Sequence, residues 1–147
     1  MTSWRRSAFV GLLVGLLLGS AGVAVAASVH SSFKFYGPHS GYEYKNRSSL
    51  YDNPNAYSSV EVTNGGNAPA GWYGIKPRLF KADGTLCQAG DWWYSPNPSA
   101  GASVNTYPTQ LCGSGNYYSH GKTSAWLKAS STYTDYLTYK TPNMYLS

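Results

Sequence analysis

Trp72-Tyr73-Gly74-Ile75-Lys76-Pro77-Arg78-Leu79-Phe80-Lys81-Ala82-Asp83-Gly84-Thr85-Leu86-Cys87 is the stretch on which the fold turns. Tyr73, Ile75, Pro77 and Leu79 alternate with Trp72, Gly74, Lys76, Arg78 and Phe80. That period of two sends successive side chains to opposite faces of a strand. Asp83-Gly84 then stands between Leu79-Phe80-Lys81 and Thr85-Leu86-Cys87 and reads as the tight turn of a β-hairpin. Pro77 has no N–H to give a ladder, which predicts a sheet edge or a bulge at that point.

Toward the N-terminus the same pattern recurs. Val29, Ser31, Phe33 and Phe35 alternate with His30, Ser32, Lys34 and Tyr36. Gly37-Pro38 and Ser40-Gly41 predict a break before the aromatic run 42–51, in which Tyr42 and Tyr44 share a face. Asp52-Asn53-Pro54-Asn55 is turn chemistry, and it leads into Tyr57 to Thr63 with Val60 and Val62 on one side.

Toward the C-terminus, Trp92-Trp93-Tyr94 passes through a Pro- and Ser-rich loop to a short strand around 102–107. Tyr117 to Lys128 reads as one long strand with Tyr118, His120, Lys122, Ser124 and Trp126 on a common face. Tyr133 to Lys140 follows, and Pro142 ends the pattern. No apolar repeat of helical period runs through these residues. About eight short strands, with turn signals every eight to twelve residues, predict an all-β domain: a small antiparallel β-sandwich, with a closed barrel as the alternative.

Residues 1–26 differ from the rest. Arg5 and Arg6 precede an apolar run from Phe9 to Leu18, and Ala24-Val25-Ala26 offers small residues at signal-peptidase spacing. The expectation is a signal peptide over 1–26 and a single secreted domain over 27–147. An uncleaved anchor is the competing reading, but Gly19-Ser20-Ala21-Gly22 dilutes the run and no Lys/Arg cluster follows it. Once the signal is cleaved, no membrane span is expected. Cys87 and Cys112 are the two cysteines, so an oxidising compartment allows one pairing. That bridge would contribute about 3.5 kcal/mol in the chain-entropy description.

With Arg5 and Arg6 removed from the 11 basic residues, nine face six acidic ones. They are scattered singly, which argues against nucleic acid as a partner. No nucleophile-elbow motif, no His pair at metal-binding spacing and no calcium-type loop occurs, so neither catalysis nor a metal or other cofactor is expected.

The unusual feature is aromatic content: 14 Tyr and, past the leader, Trp72, Trp92, Trp93 and Trp126. Tyrosine is a good strand residue and fills small cores. Rings in excess of what a core can hold form surfaces with an apolar body and a polar tip, on which sugars stack. In Trp92-Trp93-Tyr94 one Trp can anchor the core while its neighbour points outward. The candidate ligand-binding residues are therefore Trp92, Trp93, Tyr94, Tyr118, His120 and Trp126.

The stretches Gly71 to Phe80, Gly113 to Ala125 and Tyr139 to Pro142 resemble small exported proteins of Gram-positive bacteria, actinomycetes among them. That resemblance implies export and a β fold and carries no assigned activity. Phe35-Tyr36-Gly37 and Ser58-Ser59-Val60 are similar to lactococcin-type bacteriocins that fold as β-sandwiches, although those are shorter and typically lack a disulfide. Two functions are accordingly expected in outline. One is a secreted, non-catalytic domain that binds cell-wall polysaccharide or another glycan; the other is a secreted bacteriocin-like antagonist.

Overall fold

Each alternating run forms a strand, and where a run meets a residue that cannot keep the ladder, it is cut in two. A computed structural model describes residues 27–106 and 111–147; the expected signal peptide and Tyr107 lie outside the described residues. The strands are β1 Ser28–His30, β2 Lys34–His39, β3 Tyr42–Tyr51, β4 Ala56–Val62, β5 Tyr73–Lys76, β6 Arg78–Lys81, β7 Leu86–Ala89, β8 Trp93–Tyr94, β9 Gly101–Asn105, β10 Gly115–Ser119, β11 Lys122–Leu127, β12 Thr132–Leu137 and β13 Met144–Leu146. Of the expected runs, β1/β2, β5/β6 and β10/β11 are each one run interrupted, β7 and β8 lie on separate expected stretches, and β13 is an additional strand beyond Pro142. All pairings are antiparallel, no helix occurs among the described residues, and the sheets do not close into a barrel.

One layer is the sheet β1–β3–β4–β9, with β2 sharing the β3 edge. Ser31 bridges the gap between β1 and β2: its N–H donates to the Ser48 carbonyl and its hydroxyl accepts from the Ser48 N–H, both at 2.9 Å. The opposite layer is hydrogen-bonded as two four-stranded sheets, β13–β10–β6–β7 and β12–β11–β5–β8. They continue one another. Tyr117–Ser119 face Leu79–Lys81 and Lys122–Ala125 face Tyr73–Lys76 in a single register, and only Pro77–Arg78 opposite His120–Gly121 interrupts it.

Pro77, expected at an edge or a bulge, therefore sits in a central run, where its missing donor marks the line along which the layer bends. The single strand expected over 117–128 is divided on the same line. Two other expectations are corrected. Gly37-Pro38 does not end a strand but lies inside β2, at a register shift between Tyr36 and His39. Pro142 does not end the pattern, since β13 follows it and pairs with β10, burying Leu146.

The hairpin at Asp83-Gly84 forms as expected. Gly84 takes φ of 91°, its N–H reaches the Lys81 carbonyl at 2.9 Å, and Asp83 Oδ1 accepts from the Thr85 N–H at 2.8 Å. The disulfide Cys87–Cys112 spans Cα atoms 5.7 Å apart and ties β7, at the sheet edge, to the chain entering β10.

The bend divides the interior into two apolar clusters. Tyr36, Tyr44, Val60, Ala68, Tyr73, Ile75 and Ala125 pack beneath β5 and β11, while Leu50, Ala56, Leu79, Tyr117 and Leu146 pack beneath β6 and β10. Between them runs a buried polar seam. The Gly121 N–H donates to both Ser48 Oγ and Thr138 Oγ1 at 3.0 Å, and those hydroxyls bond each other at 2.7 Å. Asn46 Nδ2 donates to Thr123 Oγ1 at 2.7 Å, and the Ser119 N–H to Thr141 Oγ1 at 3.0 Å.

A side chain at Gly121 has no room, since a Cβ there would lie 1.7 Å from Ser58 Oγ and 2.7 Å from Ser58 Cβ. Gly121→Ala is expected to lower unfolding free energy by about 1–3 kcal/mol through overpacking. Urea denaturation should find the double variant Gly121→Ala/Ser58→Gly more stable than Gly121→Ala alone.

The tyrosine core carries a second consequence. Burial pushes the Tyr44 phenol up to about 12 and Tyr36 higher still, with neighbouring tyrosines adding to the effect. The Tyr36 hydroxyl lies near Thr123 without meeting hydrogen-bond geometry, and the Tyr44 and Tyr73 hydroxyls are likewise unpaired. An unfolded tyrosine ionises near 10, so above that pH the unfolded chain loses protons that the folded one keeps. This contribution to stability is whole below pH 10 and falls as pH rises through about 12. Denaturation measured across that window should show a shallower decline for Tyr44→Phe than for the parent.

Candidate functional site

Strand alternation sorts the aromatic residues of the β12–β11–β5–β8 sheet by face. Tyr73, Ile75, Ala125, Trp93 and Tyr136 point into the interior, where Trp93 lies 6.3 Å from the Tyr73 ring. Trp92, Tyr94, Trp126 and Tyr133 stand on the outer face and touch in series. The Trp92 and Tyr94 rings stack at 6.0 Å, Tyr94 meets Tyr133 at 4.9 Å, and Tyr133 meets Trp126 edge-on at 5.0 Å.

Tyr94 and Tyr133 come from opposite edges of this sheet, and they meet because Gly74 stands on the central strand between them. A Cβ at Gly74 would lie 2.6 Å from Tyr94 Cε1 and 2.6 Å from Ser124 Oγ. The bare glycine thus leaves a trough into which the Tyr94 ring lies. From the other edge, the Tyr133 hydroxyl donates to the Gly71 carbonyl at 2.5 Å. Burial, with Tyr94 second, pushes the Tyr133 phenol up. The result is a stripe of four rings held in place by one another, with Tyr94 and Tyr133 37% and 40% exposed and the two tryptophans half-buried. Such a stripe offers ring faces and indole or phenol tips to a ligand.

Of the six residues singled out from the sequence, the structure brings Trp92, Tyr94 and Trp126 together. Trp93 is turned inward as a core anchor and is not part of the stripe. Tyr118 lies on the β13–β10–β6–β7 sheet, across the bend, where it stacks on Phe80 at 5.3 Å, and His120 lies in the bend itself, between β10 and β11, 6.2 Å from Phe80. Tyr133 was missed, although its signal was present: the turn 128–131 pairs Leu127 with Thr132 and so sets Tyr133 opposite Trp126. Gly74 was missed because a glycine in a strand gives no hint of which ring will cover it.

The outer face of the other layer is polar. Arg47, Ser49, Tyr51, Tyr57, Ser59 and Glu61 line an open depression of about 620 Å³. There His30 Nδ1 lies 2.8 Å from Ser49 Oγ. The other ring nitrogen of His30 faces Ser28 Oγ at 3.3 Å rather than a carboxylate, so no acid orients the imidazole as in a hydrolytic triad. Among the described residues no three His, Cys, Asp or Glu side chains gather as a metal site, and no helix is long and apolar enough to cross a membrane.

The chain matches no protein-family profile, no curated protein and no solved structure.

Gly74→Ala is expected to lift the Tyr94 ring and separate it from Trp92 and Tyr133, with each lost ring contact worth about 0.5–1.5 kcal/mol. The Trp92 indole and Tyr133 ring resonances should both move in the NMR spectrum of that variant. Unchanged shifts at both would show that the stripe does not depend on the trough.

Proposed function

We propose that the protein is secreted, acts without catalysis, and binds a glycan of the cell-envelope polysaccharide class along Trp92, Tyr94, Tyr133 and Trp126. The observation that supports this reading is the stripe itself. Four rings that could have been buried stand contiguous on an outer sheet face, half open to water and braced by a hydrogen bond and a glycine trough. A contiguous exposed apolar patch edged by polar groups is the kind of surface that marks an interaction site. Sugar rings present C–H faces to such rings and hydroxyls to their tips.

Secretion is supported by the signal-like segment and by the disulfide, a bond that persists in oxidising compartments. The ring planes are tilted by 24°, 49° and 62° between successive neighbours. That curvature suits a flexible soluble chain or an amorphous polymer better than the flat face of a crystalline one.

Sedimentation with purified Gram-positive cell walls and with insoluble polysaccharides tests the reading. Retention that survives high salt is expected, because stacking is not screened as exposed charge is. Trp92→Ala and Trp126→Ala should each weaken it about tenfold, a loss of about 1.4 kcal/mol and more than most interface truncations cost. No retention on any polymer would remove glycan binding and leave the bacteriocin-like antagonist as the better reading.

A further inference from the structure

Across the bend from the aromatic stripe, the outer face changes chemistry. Arg78 on β6 and His120 in the break between β10 and β11 lie side by side: the His120 N–H donates to the Arg78 carbonyl at 3.2 Å, and Arg78 Nε donates to the His120 carbonyl at 3.0 Å. Lys140, which follows β12, holds its Nζ 4.7 Å from the centre of the Tyr118 ring, which stacks on Phe80 5.3 Å away, and Phe80 in turn lies 6.2 Å from the His120 ring. Lys34, at the start of β2, lies 5.8 Å from the ring of Tyr139, the residue before Lys140. The Arg78 guanidinium stands 5.0 Å from the Phe80 ring.

The charges acting on His120 come from Arg78, Lys140 and Lys34, and all are positive. The ion pairs among the described residues join Lys45 to Glu61 at 2.7 Å and Lys122 to Asp135 at 3.9 Å, and neither takes a cation from this group. Lys76 and Lys122, paired directly across β5 and β11, extend the positive row toward the stripe. Like charges so placed repel; Lys122 is met by the Asp135 carboxylate, whereas Arg78, Lys140 and Lys34 stand over aromatic rings, with Arg78 also held by the His120 carbonyl.

We propose that Arg78, His120 and Lys140, with Lys34 behind them, form a binding site for a phosphate group. Among the described residues the guanidinium, seated over Phe80, makes a hydrogen bond only through Nε, to the His120 carbonyl, and its terminal fork suits a bidentate oxyanion. The ammonium groups of Lys140 and Lys34 are near enough to act electrostatically on the imidazole beside it. A tetrahedral anion with up to two charges and three free oxygens can answer several of these donors at once. A carboxylate, with one charge and two oxygens, would leave most of the positive field unanswered. The site does not depend on glycan binding by the stripe, but it lies on the same outer layer, and a phosphate-bearing polymer could engage both.

His120 supplies the readout. Burial, followed by the charges of Arg78, Lys140 and Lys34, holds its imidazole below the usual range, while a hydrogen bond to the Thr138 backbone acts the other way. An anion seated between these cations must raise the titration midpoint of His120. The experiment is an NMR titration of the His120 ring in the purified, oxidised protein, with inorganic phosphate as the probe and sodium chloride and sodium acetate at matched ionic strength as controls. Expected is a saturable rise of the midpoint with phosphate, and saturation at least tenfold weaker in Lys140→Gln but unchanged in Lys128→Gln, which alters an exposed turn residue. Lys140 is exposed, so its loss leaves the core intact. A chloride response equal to that of phosphate, or saturation unaltered by Lys140→Gln, would overturn the proposal. Tighter saturation by acetate than by phosphate would overturn it in favour of a carboxylate site.

Discussion

The second layer depends on one backbone amide. Where the layer bends, Pro77 contributes no donor, and opposite it the Gly121 N–H turns inward, away from the ladder, to two hydroxyls on two different strands. A buried amide left without a partner costs about 1–3 kcal/mol. Ser48 from the first layer and Thr138 from the run beyond β12 answer it together and are bonded to each other. This is a contact between layers made through hydrogen bonds rather than through apolar packing, and it fixes the position of the bend along both runs. The glycine is required for the same reason: the backbone comes so close to Ser58 that no Cβ fits between them.

From that seam the division of the core follows. An interior crossed by a polar line cannot be one apolar cluster, and the two that result differ in kind. The one beneath β5 and β11 is built on Tyr36, Tyr44 and Tyr73, with Tyr36 stacked on Tyr44 at 5.4 Å and on Tyr136 at 4.2 Å. The one beneath β6 and β10 is mainly aliphatic and closes around Leu50, Leu79 and Leu146. Tyrosine brings large area at the cost of a hydroxyl, and several of these hydroxyls lie unpaired beside the seam. The elevated ionisation of Tyr36 and Tyr44 is the electrostatic expression of that burial.

The alternation of Tyr73, Ile75, Pro77 and Leu79 was enough to place a buried face, and Asp83-Gly84 was enough to place a turn, because both are local properties of a few residues. The bend was not legible. Its signals, a proline within an alternating run and a glycine after a histidine in another, are each compatible with an edge or a plain strand. They acquire meaning only when the register sets Pro77 against Gly121, a pairing between residues far apart in sequence. The candidate site was legible to the same extent. Trp92, Tyr94 and Trp126 could be named from composition and alternation. Separating Trp93 from them required knowing which face of β8 is covered, and separating Tyr118 and His120 required the bend, which puts Tyr118 on another sheet and His120 in the break between two strands.

The same bend gives the outer layer two chemistries in sequence along one surface. On the β5–β11 side, Gly74 lets tyrosines from both edges close over the middle of the sheet, and water is displaced from contiguous ring faces. On the β6–β10 side, Phe80 and Tyr118 lie flatter to one another, at 8°, and serve as seats for cations instead of as an open platform. Identical residue types thus do different work according to what stands beside them: a bare glycine in one half, a guanidinium and an ammonium in the other. Lys76 and Lys122 occupy the ground between. Under the proposed reading, a ligand that is neutral along its length would use the first half alone, whereas one that carries negative charge at intervals could follow the surface across the bend, so the chemistry of the ligand would decide how much of this layer takes part.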